Sequence, residues 1–491
     1  MEPDGGGETL KRKLSATPDL AERLHLVRLG EHKDASALHI ADPERFEERF
    51  EAALEEATPL NEGLQKEREE EARQAWAACE ELAADTDILA RFAADLARSG
   101  VAGESRVAKL LYLALTSRLL KRPASIAMKG PSSGGKSYLT ERVLSFFPES
   151  AYYALTAMSE RALAYSDEPL VHRFLVIYEA AGMESEFQTY FIRSLLSEGR
   201  VRYETVEKTS EGMKPRLIER PGPTGLIVTT TRTRLHPENE TRLISLTVTD
   251  TREQTRDIMA ALASETEGDR PAMESWHALQ SWLEGAESRV KIPYAKKLAG
   301  SIPPVAVRLR RDFGALLNLI RAHALLHQVN RERDGDGRVI ATTGDYGAVR
   351  ELVADLISEG IEATVPATVR ETVEKVAELY SKDSEAVRVA ELSRELKLDK
   401  SATSRRVGSA TDRGYLKNLE ERRGRAARLI LGDRLPEDLE ILPEPGALAD
   451  DPGAERDRCS VAVDQKGIHA NNFSEPAKPA DEEAQRERFA L

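Results

Sequence analysis

Cysteine and long apolar runs are scarce in this sequence, and each shortage excludes a class of protein. Only two cysteines, Cys79 and Cys459, occur in 491 residues. They are too few and too distant in sequence for a disulfide framework or a zinc site. No apolar run reaches the ~18 residues of a membrane helix, and the start, MEPDGGGETLKRK, has no apolar segment of the kind found in a secretory signal. These absences predict a cytoplasmic protein that does not associate with membranes.

An excess of basic charge is also lacking. The chain is 31% charged and carries a formal net charge of -14. This balance argues against a protein that coats nucleic acid generally, but it is compatible with a local basic channel. The chain is too long for one ordinary domain, and its hydrophobic content of 41% is compatible with several cores.

Composition and periodicity divide the chain into six segments. Residues 1–40 and 436–491 are Gly-, Pro- or charge-rich and are predicted to be disordered. Residues 41–120 and 251–380 repeat apolar positions at three- and four-residue spacing, which predicts helices. In residues 121–250, strands such as SIAMKG and GLIVTTT alternate with helices, which predicts an α/β domain with a parallel sheet. Residues 381–435 have a helix–helix–hairpin pattern.

The segment GPSSGGKS, Gly130 to Ser137, matches the phosphate-loop pattern G-x-x-x-x-G-K-S. Its glycines let backbone N–H groups face phosphate oxygens, and the following helix adds its positive end. Lys136 would reach the β- and γ-phosphates and Ser137 would bind magnesium, so ATP and Mg²⁺ are the predicted cofactors. A chance turn is the alternative, but an apolar strand precedes the motif and an amphipathic helix follows it. The predicted nucleotide-binding residues here are Gly130, Pro131, Ser132, Ser133, Gly134, Gly135, Lys136, Ser137 and Tyr138.

The segment HRFLVIYEAAGM, about forty residues further on, is typical of the strand that presents a second acidic motif in an ATPase. Glu179 ends this strand and would orient the attacking water and contribute to the metal site. The alternative is a buried strand whose end happens to be acidic. Tyr178 stands where an aspartate would support magnesium, and a phenol with a pKa of about 10 stays neutral at pH 7. Magnesium usually keeps several waters, so slow but real hydrolysis is expected, with Ser137 and Glu179 as the metal-site residues.

A family resemblance emerges from these motifs in their order. The run of KGPSSGGKS, ALAYSDEPLVHRFLVIYEAAGM, IRSLLSEGRVRY, TGLIVTTT and ENETRLISL resembles an AAA+ core of the minichromosome maintenance (MCM) helicase type. It resembles most the MCM-like ATPases of phages and mobile elements, over roughly residues 120–350. The long helix insert of MCM proper cannot fit between the second and third strands, and an MCM-type amino-terminal domain is not evident. A compact superfamily III-like motor is a close variant, and processive unwinding is in doubt.

The resemblance implies roles for several polar residues. Thr231, with Thr230 as the near alternative, would be the polar sensor, where the family usually has asparagine. Arg242 would be an arginine finger that enters the neighbouring subunit's site; a surface arginine is the alternative. Arg311 would be a second sensor arginine in a helical lid, although Arg308 and Arg310 compete for that role.

The segment VRYETVEKTSEGMKPRLIER resembles the pre-sensor hairpin that projects into the family's central channel. Lys208, Lys214 and Arg216 flank its tip and would contact a phosphate backbone, while a solvated surface hairpin is equally compatible. His323 and His327 lie four residues apart on one predicted helix, with no neighbouring Cys or Glu. They are interpreted as packing or surface groups rather than metal ligands.

Residues 381–435 look like a winged helix-turn-helix. Val387–Leu396 would be its first helix and Ser401–Arg413 its recognition helix, with LKNLEE and AARLIL pairing as a wing. Between Lys400 and Arg428 there are nine Lys/Arg and three Asp/Glu, a local basic patch typical of nucleic-acid contact. A protein-docking module is the alternative. The predicted DNA-binding residues are Ser404, Arg405 and Arg406 in the groove and Arg422, Arg423 and Arg425 on phosphates.

Three functions are compatible with these features. The first is an ATP-driven DNA motor, a helicase or translocase of a replication or mobile-element system, acting on single- or double-stranded DNA as a homo-oligomer, with a hexamer expected. The second is a regulatory ATPase that assembles on DNA without unwinding it, as in partition, transposition or defence. The third is a nucleotide switch that hydrolyses poorly, which Tyr178 makes admissible.

Overall fold

The structure, a computed structural model, describes the chain from residue 23 to residue 448 with gaps. The described residues are 23–132, 134–179, 185–209, 212–231, 240–248, 251–263, 271–362, 365–383, 386–420, 422, 425, 427–435 and 441–448. Residues 449–491 lie outside the described residues. In the described ranges no helix combines the length and hydropathy that a membrane span needs.

The amino-terminal elements are mainly helical, as the periodicity predicts. Asp87 begins one of these helices by accepting a hydrogen bond from the Ala90 N–H at 2.9 Å, a typical N-cap. Residues 23–40 were predicted to be disordered, and this is wrong, because they contain a short strand and most of a helix. The elements are β1 (His25–Leu26), α1 (Ala35–Ala41), α2 (Phe46–Glu55), β2 (Thr58–Pro59), α3 (Leu60–Ala83), α4 (Ile88–Arg98) and α5 (Ser105–Thr116).

A parallel five-stranded sheet follows, so the α/β class is confirmed. Its strands are β3 (Ile126–Lys129), β4 (Tyr152–Leu155), β5 (Arg173–Ile177), β8 (Thr224–Thr230) and β9 (Ile244–Thr247), in the order β4-β5-β8-β3-β9. The central strands are apolar runs without alternation, as expected for strands covered on both faces; all residues of β3 and β8 are buried. The helices among them are α6 (Lys136–Leu144), α7 (Ala162–Tyr165) and α8 (Glu186–Glu198).

A long antiparallel ribbon interrupts the sheet between α8 and β8. Its strands, β6 (Arg200–Thr209) and β7 (Gly212–Pro221), pair with each other along their whole length and form a sheet of their own. Val201 and Ile218 are buried at the base of the ribbon, and Tyr203 contacts Phe187 of α8 with ring centroids 5.0 Å apart. Most of the rest of β7 is exposed. The ribbon therefore projects from the α/β unit.

Helices predominate after the sheet, with one addition that the periodicity did not predict. Two short strands pair in parallel there, β10 (Val290–Lys291) and β11 (Val339–Ile340). The helices are α9 (Arg252–Ala263), α10 (Met273–Gly285), α11 (Ala295–Ser301), α12 (Leu309–Leu326) and α13 (Thr343–Glu362).

One apolar core joins segments that the sequence separates. Phe92, Tyr112 and Trp276 come from three helices and Phe146 from the turn after α6, and the four rings pack together, with the Phe92 and Tyr112 ring centroids 4.4 Å apart. The amino-terminal helices, one face of the sheet and the later helices thus share this core. Ile441, Leu442 and Leu448 also join it, so the prediction of disorder is wrong for residues 441–448. A second core covers the other sheet face, where α8 packs on β5 and β8.

The last described unit has its own core. Val376, Leu392, Val407 and Leu429 are among its buried side chains. The predicted first helix begins two residues too early, because Val387 and Arg388 form a strand that pairs with the last strand of the unit. The elements are α14 (Ala367–Asp383), β12 (Val387–Arg388), α15 (Val389–Glu395), α16 (Lys400–Asp412), β13 (Leu416–Asn418) and β14 (Arg428–Leu431).

Candidate functional site

The predicted phosphate loop connects β3 to α6. Gly135 lies immediately before α6 with φ of 75° and ψ of 2°, a left-handed conformation that glycine adopts at little cost. An added Cβ at Gly135 would meet nothing within 4 Å, whereas one at Gly134 would lie 3.1 Å from the Pro131 carbonyl oxygen. The left-handed backbone therefore requires glycine at position 135, and the nearby Pro131 carbonyl oxygen favours glycine at position 134. Ser133 lies outside the described residues.

Lys136 folds back over this loop. Its Nζ donates to the carbonyl oxygens of Gly130 at 3.0 Å and Pro131 at 2.6 Å, and the residue is only 6% exposed. A buried ammonium needs acceptors, and phosphate oxygens are stronger acceptors than these carbonyls. Ser137 is exposed on the first turn of α6, beside the helix amino terminus that would favour an anion. The residues of the loop therefore fit a nucleotide with its magnesium ion.

Tyr138 is the next side chain of the loop helix and is 41% exposed. Its hydroxyl lies 3.5 Å from the Gly100 carbonyl oxygen, and the Arg142 guanidinium lies over its ring at 5.0 Å. The amino-terminal helices thus approach the phosphate loop at this point.

The acidic strand end lies beside a polar strand end. Because β8 lies between β3 and β5 in a parallel sheet, the carboxyl ends of the three strands lie side by side at one end of the sheet. Glu179 has φ of 60°, and its N–H donates to Thr229 Oγ1 at 2.9 Å. Its Oε1 accepts a hydrogen bond from Thr231 Oγ1 at 3.2 Å. Lys136, Glu179 and Thr231 therefore lie at the carboxyl end of the sheet, whereas Thr230 is buried within β8.

Thr229 was not among the predicted site residues. It holds the backbone of Glu179 in a left-handed conformation, which costs a non-glycine residue of order 1 kcal/mol or more. The signal in the sequence is the run of three threonines, Thr229 to Thr231. Which of them faces the acidic residue depends on the register between β5 and β8.

Tyr178 packs against the main apolar core and is not fully exposed at the carboxyl end of the sheet. Its ring is half-buried against the main apolar core. Burial, together with the negative charge of Glu141 on α6, raises the pKa of Tyr178 to about 12. The phenol is therefore neutral over the physiological pH range and supplies no charge for a metal ion.

Arg242 lies at the other end of the strands. Ile244, two residues later, is in register with Ile126, the first residue of β3, whereas the phosphate loop follows the last residue of that strand. Arg242 Nε donates to Ser197 Oγ at 2.7 Å. Ser197 lies in the last turn of α8, which ends next to the start of β8. Arg242 is therefore held away from the phosphate loop of its own chain.

Arg311 lies with Arg242 and not with the phosphate loop. Its Nη1 donates to Thr241 Oγ1, on the residue that precedes Arg242. The competing arginine Arg308 pairs with Asp312 at 3.0 Å. The structure therefore does not place Arg311 beside the nucleotide site of its own chain.

The ribbon β6–β7 divides its predicted basic residues between two faces. Lys208 pairs across from Met213, Glu207 from Lys214 and Thr205 from Arg216. Since neighbouring residues of a strand point to opposite faces, Lys214 and Arg216 share one face and Lys208 lies on the other. Arg216 also forms an ion pair with Glu207 at 2.8 Å.

The predicted DNA-binding residues of the last unit differ in exposure. Ser404 and Arg405 are exposed on α16, and Arg422 and Arg425 are exposed between β13 and β14. Arg406, in contrast, forms an ion pair with Glu371 of α14 at 2.6 Å and is 24% exposed. This pair ties the two helices together. Arg423 lies outside the described residues.

His323 and His327 stack on α12 beside Asp345, and the three side chains lie close enough to hold a metal ion. Their ligand atoms are already engaged. Asp345 accepts from His323 Nδ1 at 2.7 Å and from Arg331 at 2.6 Å, while His327 Nε2 accepts from the N–H of Ile88 at 3.2 Å. Burial lowers the pKa of His327 to about 4. The group joins α4 to α12 as a buried polar network.

Comparison with known proteins finds distant similarity among solved structures. No protein-family model matches the chain, and no curated protein matches it. Among solved structures, the chain is similar to a full-length MCM homolog from Methanopyrus kandleri, with 16% sequence identity and a TM-score of 0.41. The matched region covers 57% of this chain and 61% of that one, so the chain spans less than two thirds of the solved protein. A likeness of this size assigns no function.

Proposed function

We propose that this chain is a phosphate-loop ATPase whose active sites form between neighbouring copies in a ring, and that it acts on DNA. The observation that carries the proposal is the distribution of polar residues over the two ends of the sheet. Lys136, Glu179 and Thr231 belong to the carboxyl end, whereas Arg242 lies at the amino end. A head-to-tail contact would bring the arginine of one copy to the nucleotide of the next, and such contacts close into rings.

The side chains have distinct roles in this proposal. Lys136 exchanges its two carbonyl acceptors for the β- and γ-phosphates, and Ser137 with Glu179 would hold magnesium, which neutralises phosphate charge when bound. Glu179, oriented by Thr229 and Thr231, positions the attacking water and receives its proton. Arg242 of the adjacent copy stabilises the negative charge of the transition state. Arg311, held beside Arg242 through Thr241, acts from the same side.

Two basic surfaces support DNA as the partner. Lys214 and Arg216 share one face of the projecting ribbon, which would place cations along a phosphate backbone in a ring channel. The three helices and three strands of residues 367–431 have the order of a winged helix, with Ser404 and Arg405 exposed on α16, the third of these helices. The order of the motifs in the sequence resembles that of the MCM-like ATPases of phages and mobile elements, and this resemblance supports a hexamer as the proposed ring.

Mixing two inactive variants tests the shared site. Glu179→Gln removes the water-positioning carboxylate and Arg242→Ala removes the arginine, so each alone should lose most ATPase activity. Equal, random mixing joins an intact Glu179 to an intact Arg242 at about one interface in four. About a quarter of the wild-type rate should return. A mixture no more active than its components, while native mass spectrometry shows mixed rings, would overturn the proposal.

The regulatory alternative rests on Tyr178. A neutral, half-buried phenol stands at the position of the usual metal-supporting carboxylate, which favours slow turnover and a long-lived ATP-bound state. Strand displacement distinguishes the two functions. A ring whose DNA stimulates hydrolysis but which separates no duplex belongs to the regulatory class.

A further inference from the structure

An ion pair links the phosphate-loop strand to the segment that carries Arg242. Lys129, the last residue of β3, donates to Glu240. The Lys129 side chain is 11% exposed and that of Glu240 is 23% exposed. A shielded ammonium is stable only with a close anion, so this pair ties the Glu240 carboxylate to the Lys129 side chain. Neither residue was among the predicted site residues, although Lys129 begins KGPSSGGKS and Glu240 lies in ENETRLISL.

The turn that Glu240 begins is short and is fixed at both ends. The N–H of Leu243 donates to the Glu240 carbonyl oxygen at 3.3 Å, and the N–H of Ile244 donates to the Ser125 carbonyl oxygen at 2.9 Å. The two residues between these fixed points are Thr241, which accepts from Arg311, and Arg242. The position of Glu240 therefore limits where both arginines can point.

From this arrangement we infer that Glu240, held by Lys129, is a positioning residue for the arginines that each copy offers to its neighbour. The inference deepens the proposed function and rests on it. Glu240 touches no nucleotide in this scheme; it acts by orienting Arg242 and Arg311. Its loss should affect the neighbouring site while the nucleotide site of its own chain stays intact.

Glu240→Gln gives the first measurement. The glutamine keeps the shape and an acceptor oxygen but removes the charge that Lys129 requires. Misplacing a catalytic group by about 1 Å costs on the order of 10²-fold in rate, so kcat should fall by about that factor. KM for ATP should change less than about two-fold, because an interaction made only in the transition state is lost. Glu240→Asp keeps the charge and should recover part of kcat.

A matched control separates this effect from a general loss of an ion pair. Glu168 pairs with Arg173 of β5 at 2.8 Å, and the Arg173 side chain is 15% exposed. Glu168→Gln therefore weakens a different ion pair on the same sheet, one whose cation is similarly shielded. If kcat depends on the turn that Glu240 begins, this variant should stay within about two-fold of the wild-type kcat. If Glu240→Gln fails to fold, Lys129→Met releases the turn without leaving a buried ammonium and takes its place.

Mixed rings decide which site the residue serves. Glu240→Gln mixed with Glu179→Gln should regain activity, because the Glu240→Gln copies keep an intact nucleotide site and the Glu179→Gln copies supply well-placed arginines. No recovery here, with recovery in the Arg242→Ala and Glu179→Gln mixture, would overturn the positioning role alone. Failure of both mixtures would instead refute the shared active site. A raised KM with unchanged kcat in Glu240→Gln would also contradict the inference.

Discussion

Tyr178→Asp restores the carboxylate that a magnesium-dependent ATPase would be expected to carry, and the structure predicts that it will not accelerate hydrolysis. An aromatic side chain buries about 150–250 Å² when fully covered. Tyr178 is half-buried, so its loss exposes roughly 100 Å², or about 2.5 kcal/mol at ~25 cal/mol per Å². The new carboxylate would also lie near Glu141 in a partly desolvated place, which adds about 1 kcal/mol of cost. The total destabilisation is about 3.5 kcal/mol.

Urea unfolding of Tyr178→Asp and Tyr178→Phe measures this difference. The phenylalanine keeps the ring in the core, so its unfolding free energy should stay within about 0.5 kcal/mol of wild type. Turnover of both variants at saturating ATP, measured well below the unfolding midpoint, should not exceed that of wild type. An aspartate variant as stable as the phenylalanine variant and faster in hydrolysis would refute the packing argument. It would show that residue 178 faces the metal and that tyrosine slows hydrolysis.

Other variants test the remaining parts of the site and fold. Glu179→Gln should lower kcat at least ~10²-fold with nucleotide binding retained; unchanged ATPase activity would remove this residue from catalysis. His327 is buried and its pKa is lowered to about 4, so its stabilising contribution is complete above about pH 6.5 and is lost as pH falls toward 4. Of that contribution, about 2 kcal/mol should be lost at pH 5, and urea unfolding of His327→Gln should show a flatter pH dependence than wild type. Replacing Lys214 and Arg216 by alanine should reduce DNA-stimulated ATPase activity more than Lys208→Ala does, since only the first two share a ribbon face; equal effects would remove the face from the mechanism.

Local patterns predicted the strands and the helix that surround the candidate site, and the structure contains them. The phosphate loop depends on glycines and a lysine within eight consecutive positions, and the strands on either side are short apolar runs. Tyr178 and Glu179 were located at a strand end for the same reason. The ribbon was predicted from two alternating segments that flank a turn. Interactions of this kind act between residues close in sequence, so the sequence is enough to identify them.

Relations between distant segments were predicted less well. Residues 441–448 look like a polar tail, yet Ile441, Leu442 and Leu448 are buried in the main core. Arg406 was predicted to face a DNA groove, but Glu371 of a preceding helix binds it. Arg311 was predicted to be a nucleotide-binding sensor arginine, and the structure shows that Thr241 accepts its hydrogen bond beside Arg242. Each outcome depends on a partner far away in the sequence.

The sequence by itself therefore determined the chemistry that this protein can offer: a phosphate loop, a glutamate and threonines at strand ends, and an arginine before an apolar strand. The tertiary structure alone decided where these groups act. The order β4-β5-β8-β3-β9 brings Lys136, Glu179 and Thr231 to one end of the sheet, and the pairing of β9 with β3 leaves Arg242 at the other. Strand order and register arise from packing over the whole core, and no local pattern encodes them. That separation is the physical reason for proposing a site completed by a second copy.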